Sequence, residues 1–263
     1  MRIKTAICTS VGMKRKNNQD NFYVNGLINK NAEQFLLKDF LSSKKEQILC
    51  VCDGMGGVKN GDIASFIAVE SLDKYRKKYS NLFSRFDEHM NAYVQSANKN
   101  ICTYIKNNGE ERMGTTMVTI CISPKDDEAV VANVGDSKAY LYRDGAIKKL
   151  SEDHNQAQSM VNIGIITEEE ARTHKDKSKL TQYLGIFQNE MLIEPFVSDN
   201  IMIKKNDIFL LCSDGLTDML DNSEIENILK QKDSVKYKVK KLVDTANKKG
   251  GKDNITIILA QAI

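Results

Sequence analysis

Four aspartates in this chain each sit at one end of an apolar, strand-like run and beside a small or turn-forming residue. They are Asp53-Gly54 after residues 48–52, Asp136-Ser137 after 130–135, Asp214-Gly215 after 208–213, and Asp253-Asn254 ahead of 255–260. Asp20 joins them in Asn18-Gln19-Asp20-Asn21. One Asp-Gly alone reads as a turn. Four at strand ends read differently, because strand ends of one sandwich can converge on a single cleft, where like charges need cations to coexist. Every candidate ligand is an oxygen, which suits Mg²⁺ or Mn²⁺ and not zinc.

Asp53 is the focus. Residues 48–52 are apolar, and a buried strand fixes the carboxylate that ends it. Gly54, Gly56 and Gly57 follow, so a ligand can approach the main chain closely. Asp214 and Asp218 are four apart and face the same way if a helical turn starts at Asp214. Arg15 is a cation in the polar stretch before Asp20. It reads either as a bidentate grip on a phosphate or as a surface arginine, and position alone leaves both open.

The elements that must place these groups follow from periodicity. Strands are expected at 3–10, 21–25, 48–53, 115–123, 129–134, 139–143, 147–150, 192–203, 207–212 and 255–260. Residues 26–46 read as irregular, with a short helix around 35–41. Helical periods run over 61–79 and 86–105, which pair antiparallel across a short connection, and over 155–164, 167–173, 224–230 and 235–248. Thr167 followed by Glu170 is a capping-box pattern. Strands and paired helices come in blocks and do not alternate strictly. That predicts an α+β fold with antiparallel sheets and helices packed outside, in one domain over residues 1–263.

Composition excludes several classes. Lys+Arg 38 against Asp+Glu 35 gives +3, and no basic stripe is interleaved with aromatics, so no nucleic-acid partner is indicated. No apolar run has the length of a membrane span, and the first residues lack a signal-peptide core. Six cysteines, most of them in apolar strand-like runs, read as buried free thiols in a reducing cytoplasm. A monomer is expected.

Six stretches, in order, carry a resemblance. They are Val11-Gly12-x-x-Arg15-x-x-Asn18-Gln19-Asp20, Asp53-Gly54-Met55-Gly56-Gly57, Met113-Gly114-Thr115-Thr116, Asn133-Val134-Gly135-Asp136-Ser137-Lys138-Ala139-Tyr140, Ser213-Asp214-Gly215-Leu216-Thr217-Asp218 and Asp253-Asn254-Ile255-Thr256. Together they resemble the motifs of the metal-dependent protein phosphatase family of type 2C, in its compact bacterial branch, which opposes Ser/Thr kinases.

The resemblance implies a central β-sandwich of two antiparallel sheets with paired antiparallel helices on both outer faces (α-β-β-α). It implies hydrolysis of phosphoserine and phosphothreonine on proteins by a metal-bridged hydroxide at a binuclear Mn²⁺ or Mg²⁺ centre. Asp53 would bridge the ions, Asp214 and Asp253 would complete one, and the Gly54 carbonyl would serve the other while Asp20 holds its waters. Asp136, Asp214 and Asp218 would form a third, weaker site. Arg15 would bind the substrate phosphate. Residues 164–184 correspond to a flap, and Gly114, Gly135, Thr115 and Thr116 would be structural. Implied partners are phosphoprotein substrates and a Ser/Thr kinase acting on the same targets.

One position departs from the family. Many eukaryotic members carry histidine, a candidate general acid, where this chain has Met55, and methionine donates no proton. His89, His154 and His174 match no family catalytic position and read as structural or surface histidines. A catalytically inactive phosphatase fold serving as a regulatory module is the alternative, though every aspartate of the set is present. A haloacid-dehalogenase-like enzyme needs Asp-x-Asp after its first strand, which Asp53-Gly54-Met55 fails. A nucleotide-binding reading fails because the glycines do not extend to a phosphate-binding loop.

Overall fold

The structure is a computed structural model and describes residues 1–31, 33–41, 45–55, 60–109 and 112–263. Gly56 and Gly57, expected to continue the turn after Asp53, lie outside the described residues. Two antiparallel sheets form the centre. The first runs in the order β11 (Ala146–Lys149), β10 (Lys138–Arg143), β14 (Ile208–Cys212), β15 (Ile255–Ala262), β1 (Ile3–Ser10), β4 (Phe35–Leu41). The second runs β12 (Phe196–Val197), β9 (Glu128–Val134), β8 (Met117–Ser123), β5 (Gln47–Cys52), β2 (Asn21–Val24), β3 (Leu27–Ile28), with β13 (Ile201–Met202) also on β9. A short ribbon pairs β6 (Gly54–Met55) with β7 (Gly114–Thr115).

Side-chain alternation along each strand sorts residues into three apolar layers. On β5, Leu49 and Val51 meet Phe22, Val118 and Phe209 between the sheets. Ile48, Cys50 and Cys52 point the other way, against Leu72, Tyr93 and Val94 of α1 (Gly61–Lys78) and α2 (Phe86–Asn108). On β15, Ile258 and Ala260 join the central layer. Ile257 and Leu259 meet α6 (Asn222–Leu229) and α7 (Val235–Lys248). Strands covered on both faces read as unbroken apolar runs. Contacts fall along α1 as they rise along α2, with Tyr75 on His89 and Ala68 on Tyr93, so the pair is antiparallel. The architecture is the α-β-β-α sandwich.

Three smaller helices complete the chain: α3 (Gln156–Asn162), α4 (Glu168–Thr173) and α5 (Asp214–Thr217). The capping box on α4 is made: Thr167 Oγ1 accepts from the Glu170 N–H at 3.2 Å, and the Glu170 carboxylate accepts from the Thr167 N–H at 2.8 Å.

Two sequence expectations are corrected. Residues 35–41 are a strand, β4, and not a helix, because β1 leaves an edge that they pair along their whole length. Leu36 faces the sandwich core and Leu37 the helix layer, a two-residue period that seven residues do not distinguish from a helical one. The strand expected over 192–203 reduces to β12 and β13, two residues each, at the edge of β9.

Candidate active site

The strand ends bring the aspartates to one end of the sandwich. Asp53 follows β5, and both sides of its peptide are fixed. Its N–H donates to Thr116 Oγ1 at 3.0 Å, while its carbonyl accepts from the Thr116 N–H at 2.9 Å and from Thr115 Oγ1 at 2.8 Å. Thr116 Oγ1 also meets Ser137 Oγ at 2.6 Å, next to Asp136. Thr115 exchanges both backbone hydrogen bonds with Leu184, each 2.9 Å. Segments 53–55, 114–116 and 184 therefore form one three-stranded patch around the aspartate. Gly54 is wedged in it, since a Cβ there would stand 2.1 Å from the Gly61 carbonyl oxygen and 2.5 Å from that of Gln19.

Asp20 is buried, 3% exposed, and its Oδ2 accepts from Ser213 Oγ at 2.7 Å. Its Oδ1 has no hydrogen-bond partner among the described residues. Asn254 binds the loop that carries Asp20. Its side chain accepts from the Gln19 N–H at 2.8 Å and donates to the carbonyls of Val11 and Asn17, both at 2.9 Å. Beside it, Arg15 Nη2 lies 2.5 Å from Asp253 Oδ2, with the guanidinium half exposed at the rim.

Asp214 opens α5, and the Asp218 N–H donates to the Asp214 carbonyl at 2.8 Å, so the expected helical turn is made. Asp214 Oδ1 is a second buried oxygen without a partner among the described residues. Asp218 is exposed and ion-paired with Lys177 at 2.8 Å. Asp136 is buried at the end of β9. The Lys138 ammonium donates to its carbonyl at 2.8 Å and pairs with Asp153 at 3.1 Å. A cleft of about 560 Å³ opens from Asp136, Asp214 and Asp218 towards α3 and α4.

The electrostatics follow from this crowding. Burial, then repulsion from Asp20, Asp214, Asp136 and Asp253, holds the Asp53 carboxyl well above the ordinary carboxylate range. Asp20 and Asp136 are each pushed up to about 7, chiefly by burial, with Asp214 repelling both. Asp214 is raised by burial and by Asp218 and Asp253, and a hydrogen bond with Asp53 works the other way. Unpaired buried carboxylates of one sign require protons or cations between them. Among the described residues, no three or more carboxylate, histidine or cysteine side chains draw together tightly enough to hold an ion alone. The carboxylates repel one another across the site without closing on one point. That arrangement suits hard cations whose remaining ligands are a carbonyl and water. The orphaned Asp20 Oδ1 and Asp214 Oδ1 and the all-oxygen donor set therefore fit divalent Mg²⁺ or Mn²⁺.

The structure thus brings Asp20, Asp53, Asp136, Asp214 and Asp253 into mutual electrostatic reach, with Asp218 one helical turn from Asp214. The histidines stand apart as braces. His154 Nδ1 accepts from the Gly135 N–H at 3.4 Å, and His89 Nδ1 meets the Tyr75 hydroxyl at 3.0 Å. His174 Nδ1 accepts from the Asp176 N–H at 3.2 Å. Sequence reasoning expected a structural role for Thr116, which holds the Asp53 peptide, but missed Ser213, whose hydroxyl holds Asp20, and Ser137, whose hydroxyl meets that of Thr116. A signal existed, since each lies within a quoted motif and adjoins a strand end. It also missed the Lys177–Asp218 pair, which no local pattern announces.

Comparison with known proteins agrees with this geometry. Residues 9–159 match the family model described as Protein phosphatase 2C. The serine/threonine phosphatase stp of Listeria innocua is 35% identical over 225 residues, 84% of this chain and 87% of that one. The S. agalactiae serine/threonine phosphatase superposes with a TM-score of 0.83 at 30% identity, covering 99% of this chain and 100% of that one. The catalytic domain of the serine/threonine protein phosphatase PstP, solved in complex with two manganese ions, superposes at 0.77 with 25% identity and 99% of both chains. From motif, fold and sequence alike, the chain belongs to the protein phosphatase 2C family and is a serine/threonine protein phosphatase.

Proposed function

We propose that this phosphatase hydrolyses phosphoserine and phosphothreonine at a binuclear Mn²⁺ or Mg²⁺ centre and opposes a Ser/Thr kinase acting on the same proteins. The carrying observation is the convergence of Asp20, Asp53, Asp136, Asp214 and Asp253 with two buried, unpartnered oxygens. The two manganese ions of the PstP structure support the same reading.

In this reading Asp53 would be shared by the two ions. Asp214 and Asp253 would help hold one, and the Gly54 carbonyl would help hold the other with Asp20 supporting it. Asp136, Asp214 and Asp218 would hold a third, weaker ion. Bound there, divalent ions supply an activated water and charge for the phosphoryl oxygens. The chain supplies position. Arg15 stays charged, held by Asp253 through one nitrogen, and the half-exposed guanidinium has further donors to offer a phosphate. Met55 ends β6 and donates no proton, so it is excluded as a general acid.

Residues 1–263 act as one catalytic domain, and 164–184 form a flap fastened by Leu184 at its end and by Lys177 in its middle. Among the described residues no helix is long and apolar enough to cross a membrane. All six cysteines are free and buried, which supports a reducing, cytoplasmic setting. The test is dephosphorylation of a phosphothreonine peptide: EDTA should abolish it and Mn²⁺ should restore it. Turnover indifferent to EDTA would overturn the metal centre.

A further inference from the structure

Two basic stretches far apart in sequence meet beside Arg15. Residues 13–16 read Met-Lys-Arg-Lys, and residues 248–252 read Lys-Lys-Gly-Gly-Lys. The Met13 N–H donates to the Gly251 carbonyl at 2.8 Å, joining the two. Gly12 packs so closely on the second stretch that a Cβ would stand 2.2 Å from the Asp253 carbonyl oxygen. The Arg15–Asp253 pair locks them a second time.

Lys14, Lys16, Lys248 and Lys252 are exposed, and none has an ion pair among the described residues. Of the acids close by, Asp253 is committed to Arg15 and Glu224 to Lys249, while Asp53 and Asp214, which also act on Arg15, belong to the carboxylate set proposed to hold metal. Glu33 is exposed on the segment whose carbonyl accepts from Asn18. Lys14 and Lys16 adjoin Arg15 in the chain, and the Met13–Gly251 and Arg15–Asp253 contacts bring the stretch carrying Lys248 and Lys252 to the same rim. That rim thus holds four exposed lysines without ion pairs among the described residues. Some lysines elsewhere are matched locally, as Lys74 with Glu70 and Lys77 with Asp73, and others such as Lys99 and Lys205 are exposed without an ion pair among the described residues. What sets these four apart is their place beside Arg15.

We infer that this rim selects phosphoprotein substrates whose phosphorylated residue is flanked by aspartate or glutamate. The inference rests on the proposed function, since it assumes that Arg15 marks where the phosphate sits. Charges clustered on one rim add their fields, which raises encounter rates with acidic segments and repels basic ones. Continuity with Arg15 favours a substrate flank over a membrane surface.

The test compares three phosphothreonine peptides of equal length, with acidic, uncharged or basic flanks, alongside p-nitrophenyl phosphate. Wild-type kcat/KM should favour the acidic over the basic peptide by roughly tenfold at low salt, and about 1 M NaCl should erase most of that ratio. In the combined variant Lys14→Gln, Lys16→Gln, Lys248→Gln, Lys252→Gln, the ratio should fall to about twofold, with p-nitrophenyl phosphate turnover retained. Equal turnover of the three peptides by wild type overturns the inference and leaves the phosphatase reading intact. A preference that survives in the variant overturns it too, as does salt-sensitive binding to phosphatidylserine vesicles without peptide discrimination. Failure to hydrolyse any peptide in Mn²⁺ would strike the underlying function instead.

Discussion

Asp53 has both sides of its peptide held by Thr115 and Thr116, so its carboxylate has little freedom to turn away from Asp20 and Asp214. Asp53→Ala or Asp214→Ala should lower metal-dependent p-nitrophenyl phosphate hydrolysis by more than roughly 100-fold, with an unchanged circular dichroism spectrum. Near-normal activity in either variant would remove that residue from the centre. Arg15 is at the rim and half exposed, so Arg15→Ala should act mainly on KM, raising it by roughly tenfold for a phosphopeptide. An unchanged KM would make Arg15 merely the partner of Asp253. At this scale the sequence was informative wherever an apolar run stopped at a carboxylate, because a buried strand leaves a charged residue only its ends. It marked Ser213 only by its place in a motif and not by its partner, Asp20, which it hydrogen-bonds across 193 residues.

Ribbon β6–β7 shows how little room an element can leave. Gly54→Ala would drive a methyl into the Gly61 and Gln19 carbonyls and should cost about 1–3 kcal/mol, read as a lower urea midpoint. A midpoint within error of wild type would mean that α1 can back away from β6. The polar segment 174–182 is tied to α5 by Lys177 and Asp218, both about one-third exposed. Lys177→Gln frees that carboxylate and should tighten the weakest divalent-cation isotherm, by up to about fivefold for a pair this exposed. Weaker binding would show that Lys177 organises the site and does not compete for it. Helices were legible because each carries a long, consistent period, and central strands such as β5 and β14 because each holds an unbroken apolar run ended by a polar turn. β4 was not, since its seven residues satisfy two periods and only the open edge of β1 decides between them.

Over the whole molecule, packing two sheets and two helix layers together buries several carboxylates in one place. Asp20 and Asp136 titrate at about 7 in the fold, against about 4 in an unfolded chain. Between those values the ion-free folded protein holds protons that the unfolded chain has released. Its stability should therefore fall as pH rises from about 4 to 7. In EDTA, the melting temperature at pH 5.5 should exceed that at pH 8, and saturating Mn²⁺ should shrink the difference because the ion replaces the protons. A higher melting temperature at pH 8 in EDTA would overturn this picture of the carboxylates. The layer order was legible from blocks of strands and helices, but which strands neighbour one another was not, because pairings such as β1 with β15 join segments about 250 residues apart in sequence. That pairing has a consequence for synthesis. β15 lies between β14 and β1 in the first sheet, and the residues just before it supply Asp253 and the Asn254 side chain that fastens the Asp20 loop. A chain that stops short of residue 253 therefore lacks both an interior strand of the first sheet and one carboxylate of the site, however well its earlier strands have paired.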